Sequence, residues 1–327
     1  MPERNIDMNV IEVKQFGGSD TLRMAEETAP APKEGQIVVE VKASGINFAD
    51  IMAREGHYPA VPSAPFHPGF EVAGTVSQRG DGVQGHQLGE RVMGILPSGG
   101  YAEYAVLDAA NAFILPDSLD FAPATALLIQ GLTAYFLLET GKLQLGQTVL
   151  IPGAAGGVGS LAVQIAKLKG AGKVIALASP SKHELVRSLG ADAVFDYTQP
   201  GWSKQVSAEA GEAGVSVFLD SQGDLGTEAF ETLGLKSHWL VFGGQSGKSG
   251  GLAGDRLWPM VFKNITLRGY NVNANAADWG RGMAEMLGWV ASGKLRIETQ
   301  SFPLADAAKA HEAISARQTT GKVVLVP

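Results

Sequence analysis

The sequence contains no cysteine. Disulfide bonds and thiolate-ligated metal sites are therefore excluded, although this absence says nothing about the cell compartment. Positive charge is also sparse, since 26 Lys and Arg residues stand against 33 Asp and Glu residues and the net charge is −7. No block of basic residues stands out, so nucleic acid is not expected as a partner.

Long hydrophobic runs are missing as well. We find no stretch of about 18 consecutive apolar residues, the length that spans a bilayer, and so expect no membrane partner. The first ten residues, MPERNIDMNV, lack the apolar core of a signal peptide. The expected location is the cytoplasm.

What the sequence does contain is a change of pattern along its 327 residues, enough for two domains. The first ~120 residues hold segments rich in Val, Ile and Tyr, punctuated by Gly and Pro, which predict strands. A helix is predicted over 122–139. From residue 148 onwards strand and helix patterns alternate, which predicts a parallel sheet with helices on both faces. The predicted elements there include the helix TEAFETLGL and the strand NITLRGY.

The predicted architecture is therefore α/β, with a β-rich domain and a doubly wound parallel-sheet domain. Because the last ~55 residues are too few for a domain of their own, we expect them to pack on the β-rich part. The predicted boundaries are 1–128 with 271–327 for the β-rich domain and 129–270 for the doubly wound domain.

The segment IPGAAGGVGS connects a predicted strand to a predicted helix. In that position glycines let the backbone approach a pyrophosphate, and the helix N-terminus supplies unpaired N–H groups. A strand–helix turn without a ligand is the alternative, and the strand–helix units that follow favour the nucleotide. The predicted cradle comprises Gly153, Ala154, Ala155, Gly156, Gly157, Val158 and Gly159.

The end of the second predicted strand, ALASPSK, indicates which dinucleotide binds. An NAD site usually carries Asp or Glu there to hold the ribose hydroxyls. Here Ser179 and Lys182 stand there instead, and a hydroxyl and an ammonium suit a 2′-phosphate. The sequence thus predicts NADPH over NADH, with a solvated lysine in the first turn of the helix as the other interpretation of Lys182.

Several stretches together resemble one family over nearly the whole chain. They are SGINFADIMAREGHYP, PGFEVAG, QGLTAYFLL, IPGAAGGVGSLAVQIAK, LGADAVFDY and TTGKVVLVP. The chain resembles the zinc-free, zeta-crystallin-like quinone oxidoreductases of the medium-chain dehydrogenase/reductase superfamily. The resemblance implies a GroES-like catalytic domain formed by both chain ends around a Rossmann domain. It also implies a homodimer joined at the Rossmann sheet edge near NITLRGY.

The resemblance further implies a site without metal. The zinc alcohol dehydrogenases of the superfamily carry Cys where this chain has Asn47, and Gly-His-Glu where it has Gly69-Phe70-Glu71. These side chains lack the thiolate and imidazole that hold Zn²⁺. We interpret the nearby His67 as an ordinary loop histidine.

By the same resemblance, Asn47 and Tyr58 are the expected catalytic residues, as donors to the substrate oxygen. The alternatives are that Asn47 is a turn residue at a strand end and that Tyr58 packs on a proline loop. The resemblance also implies contacts with the cofactor. In chain order, two residues would contact the nicotinamide end and the diphosphate, one the 2′-phosphate, two would lie at the carboxyl end of a strand, two would contact the carboxamide and one the phosphates. The residues concerned are Thr133, Tyr135, Tyr197, Ser221, Gln222, Phe242, Gly243 and Arg317.

Without a Lewis acid, a conjugated acceptor is easier to reduce than an isolated carbonyl, because the charge spreads into an enolate. We therefore expect an NADPH-dependent reductase of quinones or other α,β-unsaturated carbonyls. A 2-enoyl thioester reductase and an NADPH-binding protein without catalysis stay open as alternatives.

Overall fold

The computed structural model describes residues 6–59, 63–245 and 251–327. The chain forms two compact units, one of Met1–Gln130 with Ile297–Pro327 and one of Gly131–Arg296. The strands, in chain order, are β1 (Asp7–Val13), β2 (Leu22–Thr28), β3 (Gln36–Ile46), β4 (Glu71–Arg79), β5 (Arg91–Ile95), β6 (Tyr104–Asp108), β7 (Ala112–Ile114), β8 (Thr148–Pro152), β9 (Lys173–Leu177), β10 (Ala193–Phe195), β11 (Val215–Asp220), β12 (Leu233–Val241), β13 (Thr266–Gly269), β14 (Thr299–Pro303) and β15 (Lys322–Val326).

The α-helices follow the same order. They are α1 (Phe48–Arg54), α2 (Phe121–Ala126), α3 (Leu132–Thr140), α4 (Gly157–Leu168), α5 (His183–Ser188), α6 (Trp202–Ala210), α7 (Leu257–Lys263), α8 (Trp279–Ala291) and α9 (Ala307–Ser315).

The first unit is built around the long strand β3, whose apolar residues Val38, Val39 and Val41 are buried. One edge of β3 pairs with β4, and the other pairs first with β6 and then with β15. The main sheet runs in the order β14-β15-β3-β4-β5-β7. Because the apolar segment KVVLV of β15 inserts beside β3, the end of the chain belongs to the same unit as its beginning.

The second unit contains the parallel sheet that the sequence predicts. Its strand order is β10-β9-β8-β11-β12-β13, and every pair in it is parallel. The central strand β8 is almost wholly buried, and α4 packs against the sheet through buried residues such as Leu161 and Ile165. The carboxyl ends of parallel strands meet at one edge of such a sheet, which is where ligands bind in this architecture.

The domain boundary lies later than the sequence suggested. Residues 271–296, which we expected in the β-rich domain, belong to the second unit. The physical reason is α8, which packs on α3 through buried Trp279, Met283 and Met286. Gly282 of α8 lies so close to α3 that an added Cβ would stand 3.1 Å from the Phe136 ring.

Two predicted helices also differ. In TEAFETLGL, a short 3-10 turn over Glu228–Thr232 is followed at once by β12, because Leu233 is buried and pairs with β11. The helix predicted over 122–139 is two helices joined by a π-type turn, with Leu128 in a non-helical conformation.

Candidate active site

The glycine loop forms a turn between β8 and α4. Gly153 has a positive φ of 61°, a conformation that favours glycine, and Gly156 precedes the helix in an extended conformation. A Cβ on Gly159 would lie 2.3 Å from the Gly153 carbonyl oxygen, so only glycine allows the helix to approach the strand this closely. The first N–H groups of α4 lack intrahelical acceptors, as at any helix start, and form an anion-binding end.

The neighbouring strand ends bring most of the other predicted cofactor residues to the same edge of the sheet. The Ala154 N–H donates to the Leu177 carbonyl at the end of β9, and the Ala178 N–H donates to the Phe195 carbonyl at the end of β10. Ser179 and Lys182 therefore follow the strand next to the glycine loop, and Tyr197 follows the strand beyond. Burial lowers the pKa of the Lys182 ammonium.

On the other side of β8, the loop after β11 carries Ser221 and Gln222. A Cβ on Gly153 would lie 3.8 Å from the Ser221 hydroxyl oxygen, which puts that hydroxyl beside the glycine loop. A Cβ on Gly243 would lie 2.4 Å from the Ser221 carbonyl oxygen, so the segment after β12 also runs against this loop. The Phe242 N–H donates to the Asp220 carbonyl at 2.9 Å.

Asp220, which the sequence analysis did not single out, shapes this loop. Its buried carboxylate accepts from the N–H groups of Gln222 at 2.8 Å and Gly223 at 3.1 Å, and from the Trp239 indole at 3.0 Å. Burial raises the pKa of this carboxyl, and the three donors oppose that rise. Asp220 could have been found from the sequence as an acidic residue at the carboxyl end of an apolar strand.

The first unit contains a buried polar cluster around Asn47, which lies between β3 and α1. The Asn47 Nδ2 donates to Glu71 Oε1 at 2.9 Å, and its Oδ1 accepts from Lys322 Nζ at 3.0 Å. Lys322 also forms an ion pair with Glu71, and neither side chain has any exposed surface. Burial lowers the pKa of the Lys322 ammonium, while the Glu71 carboxylate opposes that change. Lys322 was not predicted, because no sequence pattern links it to Asn47.

A chain of hydrogen bonds continues from Asn47 into the core. The Asp50 carboxylate accepts from the Asn47 N–H at 2.7 Å, and it also bonds to the Tyr101 hydroxyl. That hydroxyl lies 3.0 Å from His311 Nε2, and His311 Nδ1 lies 3.4 Å from the Arg54 guanidinium. Because Arg54 can only donate, Nδ1 is the acceptor and Nε2 carries the proton. Burial lowers the pKa of His311 to about 3, with Arg54 adding to the effect, so the ring is neutral.

Comparisons with known proteins cover both units. Residues 33–117 match the family model described as alcohol dehydrogenase GroES-like domain, and residues 189–325 match that described as zinc-binding dehydrogenase. The quinone oxidoreductase of Pseudomonas aeruginosa is 34% identical over 322 residues, which cover 97% of this chain and 99% of that protein. The chain belongs to the quinone oxidoreductases of the medium-chain dehydrogenase/reductase superfamily.

Two further relatives match nearly all of this chain. The Escherichia coli quinone oxidoreductase, solved in complex with NADPH, superimposes with a TM-score of 0.90 at 32% identity and covers 98% of this chain and 100% of that one. The human synaptic vesicle membrane protein VAT-1 homolog is 31% identical over 333 residues, which cover 95% of this chain and 84% of that protein. The predicted family, the GroES-like domain and the Rossmann-type parallel sheet are thus confirmed.

Two predicted cofactor residues of this quinone oxidoreductase, Thr133 and Tyr135, are buried within α3 of the second unit. Tyr135 is buried, and its hydroxyl contacts Glu285 and Arg281 of α8. Lys169 Nζ lies 3.7 Å from the centre of the Tyr135 ring. Thr133, two residues before Tyr135 on α3, is also buried. The Tyr135 hydroxyl thus contacts residues of its own unit, and the predicted cofactor contacts of Thr133 and Tyr135 stay predictions.

The remaining predicted residues lie near the surface or in packing positions. The Tyr58 ring packs on Phe70, with 5.8 Å between ring centres. Tyr197 packs against the core of the second unit, and Arg317 is an exposed residue with a φ of 57° in the turn after α9. His67 is a partly exposed loop residue whose Nε2 lies 3.1 Å from a Glu27 carboxylate oxygen.

One helical stretch amends the expectation about hydrophobic runs. Within the described residues, Phe121–Thr140 is long and apolar enough to cross a membrane, with a mean hydropathy of 1.6. Its leucines, alanines and phenylalanines outweigh the Thr, Gln and Gly between them. However, 72% of its apolar window is buried inside the protein, as in the core helix of a globular domain.

The buried Asp50 carboxyl generates a prediction about pH and stability. Burial raises its pKa from 3.8 to about 7. Between these two values the folded protein binds a proton that the unfolded chain does not, so the contribution of Asp50 to stability falls as pH rises. Asp50→Asn removes this titration, although it also weakens the bonds to the backbone. We expect the destabilisation caused by Asp50→Asn, measured as the shift of the urea unfolding midpoint, to be larger at about pH 5 than at about pH 7.5.

The matched control is Asp117→Asn, because the Asp117 side chain is 99% exposed. Its effect on the urea midpoint should be the same at both pH values. A cost of Asp50→Asn that is constant or rises with pH would contradict the assignment of a raised pKa.

Proposed function

We propose that this chain is an NADPH-dependent reductase of quinones or other α,β-unsaturated carbonyls, and that it acts without zinc. The observation that carries the proposal is the glycine loop at the start of α4 with Ser179 and Lys182 beside it. Its context is a chain similar to quinone oxidoreductases over nearly its full length. The cytoplasmic location expected from the sequence stays a prediction.

The residues at the strand ends fit a phosphorylated dinucleotide. Glycines at 153, 156 and 159 keep the loop free of side chains where a pyrophosphate would lie on the helix N-terminus. After β9, Ser179 and Lys182 supply a hydroxyl and an ammonium for the 2′-phosphate, in a place where an NAD site has an acid. When bound, NADPH supplies the hydride.

The side chains of the first unit do not fit a zinc ion, although one matching family model is described as zinc-binding. The position that carries Cys in zinc enzymes is Asn47, and its Oδ1 already accepts from the Lys322 ammonium at 3.0 Å. Phe70 supplies no ligand atom. Zn²⁺ placed there would face a positive charge and would lack thiolate and imidazole ligands, so no step of the proposed reaction uses a metal.

In the proposed reaction, Asn47 and Tyr58 donate hydrogen bonds to the oxygen of the acceptor. Charge develops on that oxygen when hydride reaches the conjugated system, and a preorganised donor lowers the barrier most where the charge is greatest. A phenol hydroxyl can also transfer a proton, whereas an amide can only donate the hydrogen bond.

The acceptor class is tested by following NADPH consumption by the chelator-treated protein with an ortho-quinone, a simple enone and crotonyl-CoA. We expect turnover of the quinone or the enone at the same rate before and after chelation, because no metal takes part. Turnover of crotonyl-CoA alone would make the chain a 2-enoyl thioester reductase. Tight NADPH binding with no turnover would make it a binding protein, and loss of activity on chelation would contradict the metal-free reaction.

The choice of cofactor is tested at Lys182. Lys182→Met should weaken NADPH binding by about 10-fold or more, because a charged hydrogen bond contributes about 1.5–3 kcal/mol. NADH binding should not change, since NADH has no 2′-phosphate. Binding is measured by fluorescence titration of both cofactors, with Lys204→Met at an exposed lysine of α6 as the control. Equal weakening for both cofactors, or a wild type that binds NADH as tightly as NADPH, would refute the assignment.

We also propose a homodimer formed through the sheet edge of the second unit. In the described part of the sheet β13 is the edge strand, with most of its residues exposed. The preceding helix α7 exposes Leu257, Trp258, Val261 and Phe262, which are 55%, 64%, 52% and 74% exposed. An open strand edge next to an apolar helix face favours association with an identical edge. A single contact would then pair the strand edge and bury the apolar helix face.

The dimer is tested by light scattering on the chromatographed protein. The double variant Trp258→Glu/Phe262→Glu should be monomeric, because four buried carboxylates per interface would have no partners. Leu145→Glu is the control, since Leu145 is an 87% exposed apolar residue elsewhere in the same unit. A monomeric wild type, or a double variant that keeps the dimer mass, would contradict this interface.

A further inference from the structure

The Asn47 amide lies between two groups of opposite charge. Lys322 Nζ can only donate and therefore faces Oδ1, at 3.0 Å. The Glu71 carboxylate can only accept and therefore faces Nδ2, at 2.9 Å. Turning the amide by half a rotation would bring its NH₂ group against an ammonium and its oxygen against a carboxylate. The two charged groups thus leave one orientation of the amide.

The charged groups are themselves fixed by the backbone. Lys322 Nζ donates to the Ile46 carbonyl at 3.1 Å, and Glu71 Oε2 accepts from the Ile129 N–H at 2.9 Å. Gly45 provides the space they occupy, because a Cβ there would lie 2.2 Å from Glu71 Oε1 and 2.5 Å from Lys322 Cε. Neither charged group can move aside without losing a bond in the buried interior.

The ammonium also acts on the amide electronically. A cation that binds an amide oxygen draws electron density from the nitrogen, so the N–H groups become stronger donors. Nδ2 carries two N–H groups, and the contact with Glu71 uses one of them. In the proposed function the other is the donor to the acceptor oxygen.

We propose that Lys322 and Glu71 are positioning residues for Asn47. They hold its amide with Nδ2 toward Glu71 and Oδ1 toward Lys322. Lys322 also polarises the remaining N–H, which points to the substrate oxygen. Neither residue touches substrate in this proposal, so both act through Asn47. The inference rests on the proposed function. In it, the Lys322 ammonium supplies the positive charge that a metal ion supplies in zinc enzymes.

The test is a mutant cycle read as kcat for NADPH-dependent quinone reduction. Glu71→Gln with Lys322→Met removes both charges together and avoids an unpaired buried ion. This double variant should lower kcat by about fivefold or more, through flipping of the amide and loss of polarisation.

The decisive comparison is made in an Asn47→Leu background. If the charged pair acts through Asn47, adding the double change to Asn47→Leu should alter kcat by less than about twofold. The NADPH dissociation constant should stay at the wild-type value throughout, because the glycine loop lies in the other unit. His86→Gln, at a buried histidine of the first unit outside the cluster, controls for general loosening of that unit.

A double variant with the kcat of the wild type would overturn the positioning role, and so would an equal loss with and without Asn47. An Asn47→Leu enzyme with full kcat would also overturn it. A wild type without turnover would overturn the proposed function itself, which separates the two failures. If the double variant does not fold, Gly45→Ala displaces both charged groups without changing any polar atom. Its loss of kcat should likewise vanish in the Asn47→Leu background.

Discussion

The buried ion pair between Lys322 and Glu71 is the interaction on which the first unit depends. It joins the last strand of the chain to the end of β3, to the start of β4 and to the segment before α3. Removing two charges from water is costly, and the pair is tolerable only because backbone groups and Asn47 complete its hydrogen bonds. The same interaction therefore ties the chain end to β3, beside which the apolar strand β15 inserts, and leaves the Asn47 amide one orientation.

The second unit was the part that sequence could predict well. Its strands are short apolar runs, as expected when both faces of a parallel sheet are covered, and the glycine spacing fits the strand–loop–helix turn that the structure contains. The predicted residues after β8, β9 and β11 lie at one edge because parallel topology brings the carboxyl ends of adjacent strands together. There, local pattern and global architecture point to the same residues.

Prediction failed where distant segments decide the outcome. Lys322 and Asn47 are 275 positions apart, and only the pairing of β15 with β3 brings them together. The segment TEAFETLGL has helical composition, but burial of Leu233 in the sheet outweighs that preference. Helix α8 was assigned to the wrong side of the boundary because its contacts with α3 cannot be read from either helix alone.

The ammonium at Lys322 also bears on how such a site can change over generations. Suppose that substitutions placed Cys at position 47 and His at position 70, the residue types of the zinc enzymes. The new thiolate would meet a lysine within hydrogen-bond distance and would form an ion pair with it before it could ligate a metal. Binding zinc there would thus require a further change, at Lys322. Changes at these two positions alone therefore do not supply the surroundings that a zinc ion needs.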